Sequence, residues 1–117
     1  MSDSVLRTKS KEFAKDIIFL CRKLRQYNVE STLISQLLRC GTSVGANVHE
    51  AQYAQGTKDF ISKFEIALKE CNESKYWLEL IFETNSLPEA DFENLHSKCI
   101  ELRRMLVSSV TTLKNKE

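Results

Sequence analysis

Proline and glycine are almost missing from this 117-residue chain, which has one proline and three glycines. So few breakers permit long helices and argue against an all-β fold, which needs turn residues at frequent intervals. No apolar run approaches the ~20 residues of a membrane span. Met1-Ser2-Asp3-Ser4 lacks the basic-then-apolar layout of a secretory signal. A cytoplasmic location is therefore expected, with no membrane partner. Cys21, Cys40, Cys71 and Cys99 form no CxxC pair and show no short metal-ligand spacing. In a cytosolic protein such cysteines read as small buried hydrophobes. The net charge of only +1 sets the chain apart from strongly basic nucleic-acid binders.

What is present is ordinary for a globular protein: 42% hydrophobic and 28% charged residues, enough for one domain over residues 1–117. Charge is distributed unevenly. Residues 1–28 hold seven Lys or Arg against three Asp or Glu, whereas residues 56–85 hold four against six. Two of the three glycines lie in Arg39-Cys40-Gly41-Thr42-Ser43-Val44-Gly45-Ala46-Asn47-Val48-His49-Glu50-Ala51. Leu37, Leu38, Gly41, Val44, Gly45, Val48 and Ala51 keep helical spacing straight through both. A glycine inside a helix costs about 1 kcal/mol relative to alanine. Two on one face call for a reason, and close approach of another helix supplies one.

Four helices follow from the periodicity. The first is expected from Ser4 to Tyr27, with Phe13, Ile17, Leu20, Cys21 and Leu24 as its core stripe. The second runs from Thr32 to Gln55, with Ser31 as its cap and Gly56 ending it. Arg39 and Glu50 are its only charged residues, so it is expected to be covered on more than one side. The third runs from Lys58 to Asn85 on a stripe of Phe60, Phe64, Ala67, Leu68, Cys71, Leu78, Ile81 and Phe82. Asp59–Lys63 and Glu65–Lys69 are acid-before-base pairs at four-residue spacing. Near its end, Tyr76, Trp77 and Leu80 widen the apolar surface, as at an interface anchor. Ser86-Leu87-Pro88-Glu89 reads as a capping box with proline in the first turn. It opens a fourth helix with a core of Phe92, Leu95, Cys99, Leu102, Leu106, Val110 and Leu113. Short connections make the fold all-α: an antiparallel up-down-up-down four-helix bundle.

Familiar catalytic and metal motifs are incomplete. His49-Glu50 begins a zinc-protease pattern, but position 53 is Tyr53. Glu93-x-x-His96 occurs once, where a di-iron bundle needs two such motifs and further carboxylates. Gly41 and Gly45 are followed by no GK[ST] and preceded by no strand, so they form no phosphate loop. Glu50 is expected to make a buried structural hydrogen bond. No catalytic residue, metal ligand or cofactor site is assigned.

The stretch from Gln36 to Ala51, quoted above from Arg39, resembles the signature of the 23S rRNA intervening-sequence protein family. So does Asp59-Phe60-Ile61-Ser62-Lys63-Phe64-Glu65-Ile66-Ala67-Leu68-Lys69-Glu70-Cys71, followed by Glu73 and Tyr76-Trp77-Leu78. Cys40 and Cys71 stand where the family commonly has serine or alanine. The resemblance implies a small bacterial four-helix bundle that assembles as a homopentamer and has no known enzymatic activity. Some relatives are encoded within ribosomal RNA genes, and others are accessory proteins of diversity-generating retroelements. The expected role is thus a non-enzymatic scaffold whose partners are copies of itself and RNA or a nucleoprotein. Lys9, Lys11, Lys15, Arg22, Lys23 and Arg25 are the candidate phosphate contacts, since phosphate binding needs cations but little sequence code. Gly41, Gly45, Tyr76, Trp77 and Leu80 are the candidate subunit or partner interface. The alternative is a protein-binding adaptor that uses the aromatic end of the third helix without nucleic acid.

Overall fold

The structure, a computed structural model, describes residues 2–116. Its four helices are α1 (Ser2–Gln26), α2 (Ser31–Ala51), α3 (Thr57–Glu83) and α4 (Glu89–Asn115). Each packs on its neighbours in sequence, α4 returns to α1, and the backbones of diagonal pairs stay apart. The result is an all-α antiparallel four-helix bundle of 47 × 20 × 19 Å. That length suits helices of up to 27 residues at ~1.5 Å per residue.

The core follows the three- and four-residue spacing of each helix. Phe13, Ile17, Leu20, Cys21 and Leu24 are buried on α1, as the periodicity predicts, and Leu6 and Ser10 extend the stripe by two turns. On α3, Ile61 and Ser74 are buried while Phe60, Leu68 and Phe82 sit at the flank. Leu95, Cys99, Leu102, Leu106 and Val110 line α4, with Phe92 and Leu113 half-buried at its ends.

Gly41 and Gly45 lie on the side of α2 that meets α1 of the same chain, not on an outer surface. A Cβ at Gly41 would come within 2.8 Å of both γ carbons of Ile17, and one at Gly45 within 3.1 Å of the Ser10 carbonyl oxygen. The missing side chains therefore let α1 settle against α2. This corrects their expected place on a subunit or partner interface. The helix is continuous through both glycines.

The connections differ from expectation in detail. α1 ends in a Schellman arrangement: the Val29 N–H donates to the Leu24 carbonyl at 3.5 Å and the Asn28 N–H to that of Arg25 at 3.3 Å. Asn28 takes the left-handed conformation, φ 60°, which asparagine tolerates better than most residues. Buried Val29 and Leu24 complete the hydrophobic contact of the motif. α2 stops at Ala51, four residues short of the expected end. Gly56 sits in extended conformation before α3 instead of ending α2, and α3 begins at Thr57, one residue before its expected start. Ser31 likewise opens α2 instead of capping it. The Ser86–Glu89 capping box does not form: Pro88 occupies the cap position, where no side chain donates or accepts a capping bond. Neither expected four-residue ion pair on α3 is made. The Asp59 carboxylate accepts the Gln55 N–H at 3.2 Å, and Glu65 pairs with Lys114 of α4 at 2.6 Å.

Gly41→Ala is expected to destabilise the bundle by about 1–3 kcal/mol, since Ile17 is fully buried and cannot step aside. Adding Ile17→Ala removes the γ branch that collides. In a thermal or urea unfolding cycle the double variant should lose at least about 1 kcal/mol less than the two single losses combined.

Candidate functional site

The six cations singled out on α1 divide into two groups. Lys9 pairs with Glu101 at 3.1 Å and Lys23 with Asp91 at 2.8 Å, both on α4. Lys98 of α4 reaches back to Asp16 of α1 at 2.5 Å. These three pairs run along the seam where the α1 and α4 backbones pack most thinly. Lys9 and Lys23 are thus occupied in holding the bundle. Asp91 draws the Lys23 ammonium above its ordinary pKa, chiefly through their hydrogen bond. Lys11, Lys15, Arg22 and Arg25 are exposed and make no ion pair among the described residues. Arg7, which the sequence reading overlooked, joins them, exposed and likewise unpaired. Positions 7, 11, 15 and 22 share the outward side of α1 because they are separated by four, four and seven residues. That spacing was the available signal. Phe19, 60% exposed, stands among these cations with the Arg22 guanidinium 5.8 Å from its ring centre.

The aromatic end of α3 is built differently. Arg39 on α2 donates to Glu70 at 3.0 Å and also to Glu73, while the Trp77 indole N–H donates to Glu73 at 3.2 Å. Glu70 is buried, which a lone carboxylate would not tolerate, so Arg39 is the cation that permits its burial. Trp77 is half-buried inside this network and Leu80 is also half-buried. Tyr76 alone projects, 56% exposed, with its ring edge-on to Trp77. Tyr76 and Trp77 are therefore together, and Gly41 and Gly45 face elsewhere. Glu50, expected in a buried hydrogen bond, lies exposed because it falls on the outward side of α2.

Neither histidine stands in a catalytic or metal-binding arrangement. His96 Nε2 lies 2.8 Å from Glu79 Oε2, which also accepts from Lys75 at 2.9 Å, and its ring stacks on Phe92. Glu79 lies toward the C-terminal end of α3, where the helix dipole disfavours an acid, and these partners offset that cost. Glu93 is exposed and plays no part in the pairing. His49 meets only the edge of Tyr53. Among the described residues, no three His, Cys, Asp or Glu side chains gather closely enough to hold a metal ion. All four cysteines are free and buried. Cys71 and Cys99 form a crossed pair, each thiol donating to the other's backbone carbonyl at 3.3 and 3.2 Å, with sulfurs 3.6 Å apart. Burial pushes the Cys21 and Cys40 thiols up to about 11. The hydrogen bond with Cys71, together with burial, pushes Cys99 up, and the same bond draws Cys71 down. Protonated, buried thiols are poor nucleophiles.

A groove of about 880 Å³ opens at the other end of the bundle, between the α2–α3 turn and the last turns of α4. Phe60, Met105 and Leu113 give it an apolar lining, and Arg104 and Lys116 are the charged residues among the described lining. No sequence motif marks it, because its residues come from separate helix ends.

These features define a small helical bundle whose ion pairs mainly join one helix to another, with an outward basic face on α1. The chain belongs to the 23S rRNA-intervening sequence protein family, whose profile matches residues 2–108. It is similar to a protein with unknown function from the S23 ribosomal protein family of Bacteroides thetaiotaomicron, known from a crystal structure at 1.70 Å. The two share 41% identity over 95% of this chain and 99% of the other, with a TM-score of 0.90. No curated protein matches the sequence. No helix among the described residues is long and apolar enough to cross a membrane.

Two outcomes follow from this chemistry. Hydrogen bonds from Arg39 and then Trp77 hold Glu73 below its ordinary pKa of 4.5, and those from His96 and then Lys75 do the same for Glu79. The unfolded chain binds their protons first on acidification. Their stabilising contribution is therefore complete above about pH 4.5 and disappears as pH falls through the depressed folded-state values. Urea unfolding from pH 7 to pH 3 should accordingly show a shallower acid loss in Glu73→Gln and Glu79→Gln than in the parent. The thiols give the second outcome: native protein at pH 8 should react with Ellman's reagent at a small fraction of the rate seen in guanidinium chloride, where all four cysteines titrate.

Proposed function

We propose that the chain is a non-enzymatic scaffold that assembles with copies of itself, as a homopentameric ring, and holds RNA or a nucleoprotein on its outer face. The observation that carries the reading is the outward stripe of α1. Lys11, Lys15, Arg22 and Arg25, with Arg7, make no ion pair among the described residues, while cations elsewhere on the helix are tied to α4. A net charge of +1 understates such a face: residues 1–28 hold seven Lys or Arg against three carboxylates, of which Glu12 is exposed and Asp16 is held by Lys98. A ring repeats the stripe once per protomer, which multiplies a modest local field.

Self-association is supported by α2. Its outward residues include Ser35 and Ala46, Tyr53 in the turn just beyond is 71% exposed, Glu50 is the exposed charge on that side, and Arg39 turns aside toward α3. A helix side this poor in free charge is suited to a neighbouring subunit. The adaptor reading has less behind it, since the Trp77 indole is bonded to Glu73 and only Tyr76 projects. The family's description as a 23S rRNA-intervening sequence protein and the expected cytoplasmic location are in keeping with an RNA-associated role.

Light scattering should return five times the 13.5 kDa chain mass. RNA titrated across a salt series should bind more weakly as salt rises. Changing Lys11, Lys15, Arg22 and Arg25 together to Gln should reduce the log–log salt slope by about 3 for each protomer engaged, at ~0.7 per phosphate contact. Lys9→Gln and Lys23→Gln should change it little. A monomer would remove the ring, and salt-independent capture of RNA would remove the phosphate contacts.

A further inference from the structure

We infer that α1 and α4 together form a stacking site for an unpaired nucleobase, with Phe19 as the platform, so that the RNA held here is single-stranded. This deepens the scaffold reading and rests on it.

Phe19 is the point where the outward stripe carries an aromatic ring instead of a charge. A phenylalanine 60% exposed on a helix whose core is complete without it contributes little to folding. Lys15 lies four residues before it and Arg22 three residues after it, the spacings at which side chains on one helix face are neighbours. The Arg22 guanidinium already lies within cation–π range of the ring, at 5.8 Å from its centre. An aromatic face between two unpaired cations is complementary to one polymer in particular. A single strand of nucleic acid presents phosphates at regular intervals and flat apolar bases between them.

The surroundings of the ring fit that occupant. Phe19 forms one wall of a cleft of about 230 Å³ between α1 and α4, with Leu20 and Leu95 also in its lining. Asn94 of α4 lies on the lining as well, and its side-chain amide makes no hydrogen bond among those described, leaving a donor and an acceptor for a base edge. The two carboxylates of the cleft, Asp16 and Asp91, are each held by a lysine, Lys98 and Lys23, so their charge opposes the phosphates only weakly. Lys15, Arg22 and Arg25 stay outside the cleft, exposed, where a sugar–phosphate backbone would run. A duplex keeps its bases stacked on one another and offers no free face to the ring. An acidic peptide offers the charge without a regular supply of planar rings.

Three 12-mer probes separate these terms: oligo(A), an oligomer of equal phosphate number whose central positions are abasic, and a 12-base-pair RNA duplex. Fluorescence anisotropy at fixed salt should show the intact single strand binding at least about tenfold more tightly than the abasic one, the scale of one base stacked on an aromatic side chain. Phe19→Leu keeps an apolar side chain at an exposed position, and circular dichroism melting should confirm an unchanged fold. It should lower oligo(A) affinity to the abasic value while leaving abasic affinity and the salt slope as they were. The Lys15→Gln/Arg22→Gln/Arg25→Gln variant should weaken both single strands equally. In a strand carrying 2-aminopurine, binding should quench its fluorescence with the parent protein and not with Phe19→Leu. Equal affinity for intact and abasic strands, or tighter binding of the duplex, would overturn the stacking site while leaving a salt-dependent RNA scaffold in place. No affinity for any of the three probes would overturn both readings, as would binding confined to anionic phosphatidylglycerol vesicles.

Discussion

The contact between α1 and α2 at Gly41 and Gly45 governs the rest of the bundle. Two positions without side chains put the γ carbons of Ile17 and the backbone at Ser10 where Cβ atoms would otherwise stand. Helix interiors resist glycine by about 1 kcal/mol each, so the close approach must return at least that much through dispersion and apolar burial. Ile17, Val44 and Val48 are fully buried along this contact, which is where that return arises. Drawing α1 onto α2 leaves its other flank packed thinly on α4. There the attachment is electrostatic, through Lys9–Glu101, Asp16–Lys98 and Lys23–Asp91. Exposed pairs of this kind contribute only a few tenths of a kcal/mol to about 1 kcal/mol each. Their main effect is orientation: they hold α1 with one particular side turned outward.

That orientation sorts charge by purpose. Cations on the α4 flank of α1 are neutralised, and those on its outward side are not. The same separation occurs on α2 and α3, where Arg39 is drawn into a network with Glu70 and Glu73 and so leaves the outer side of α2 nearly without charge. One face of the molecule is consequently basic and another bland, although the chain as a whole is almost neutral. A surface suited to polyanions and a surface suited to another copy of the chain can then coexist on a bundle only 20 Å across. Phe19 sits at the border between the outward stripe and the α4 seam, where a cleft can form beside a ring.

Much of the fold was legible from residue order. The α1 and α4 core stripes were readable because apolar residues recur at three and four with few competing candidates. α3 was less legible: Phe60, Leu68 and Phe82 are as apolar as Ile61, and only packing against α2 and α4 decides which of them is enclosed. Helix ends were least legible. The Ser86–Glu89 pattern is a good cap in isolation, but the connection from α3 places Pro88 at the boundary and leaves the serine outside. Asp59 and Glu65 had suitable lysines four residues on, yet took the Gln55 N–H and Lys114 instead, since local pairs are worth too little to resist a tertiary alternative. Of the candidate site, the cations were visible as a local excess, and Arg7 was recoverable from its spacing. Which of them stay unpaired was not, because every partner lies some seventy or more residues away.

Sequence alone therefore determined that the chain is helical, that it forms an antiparallel bundle, and that two glycines serve a close contact. These are consequences of periodicity, short connections and the rarity of breakers, all of which are local along the chain. Only the tertiary structure decided which helix the glycines receive, which carboxylates neutralise which lysines, and which ring faces solvent beside a cleft. Those depend on the rotation of each helix about its own axis. That angle is set by the sum of core packing and interhelical ion pairs, a property of the assembled bundle that no single helix carries in its own residues.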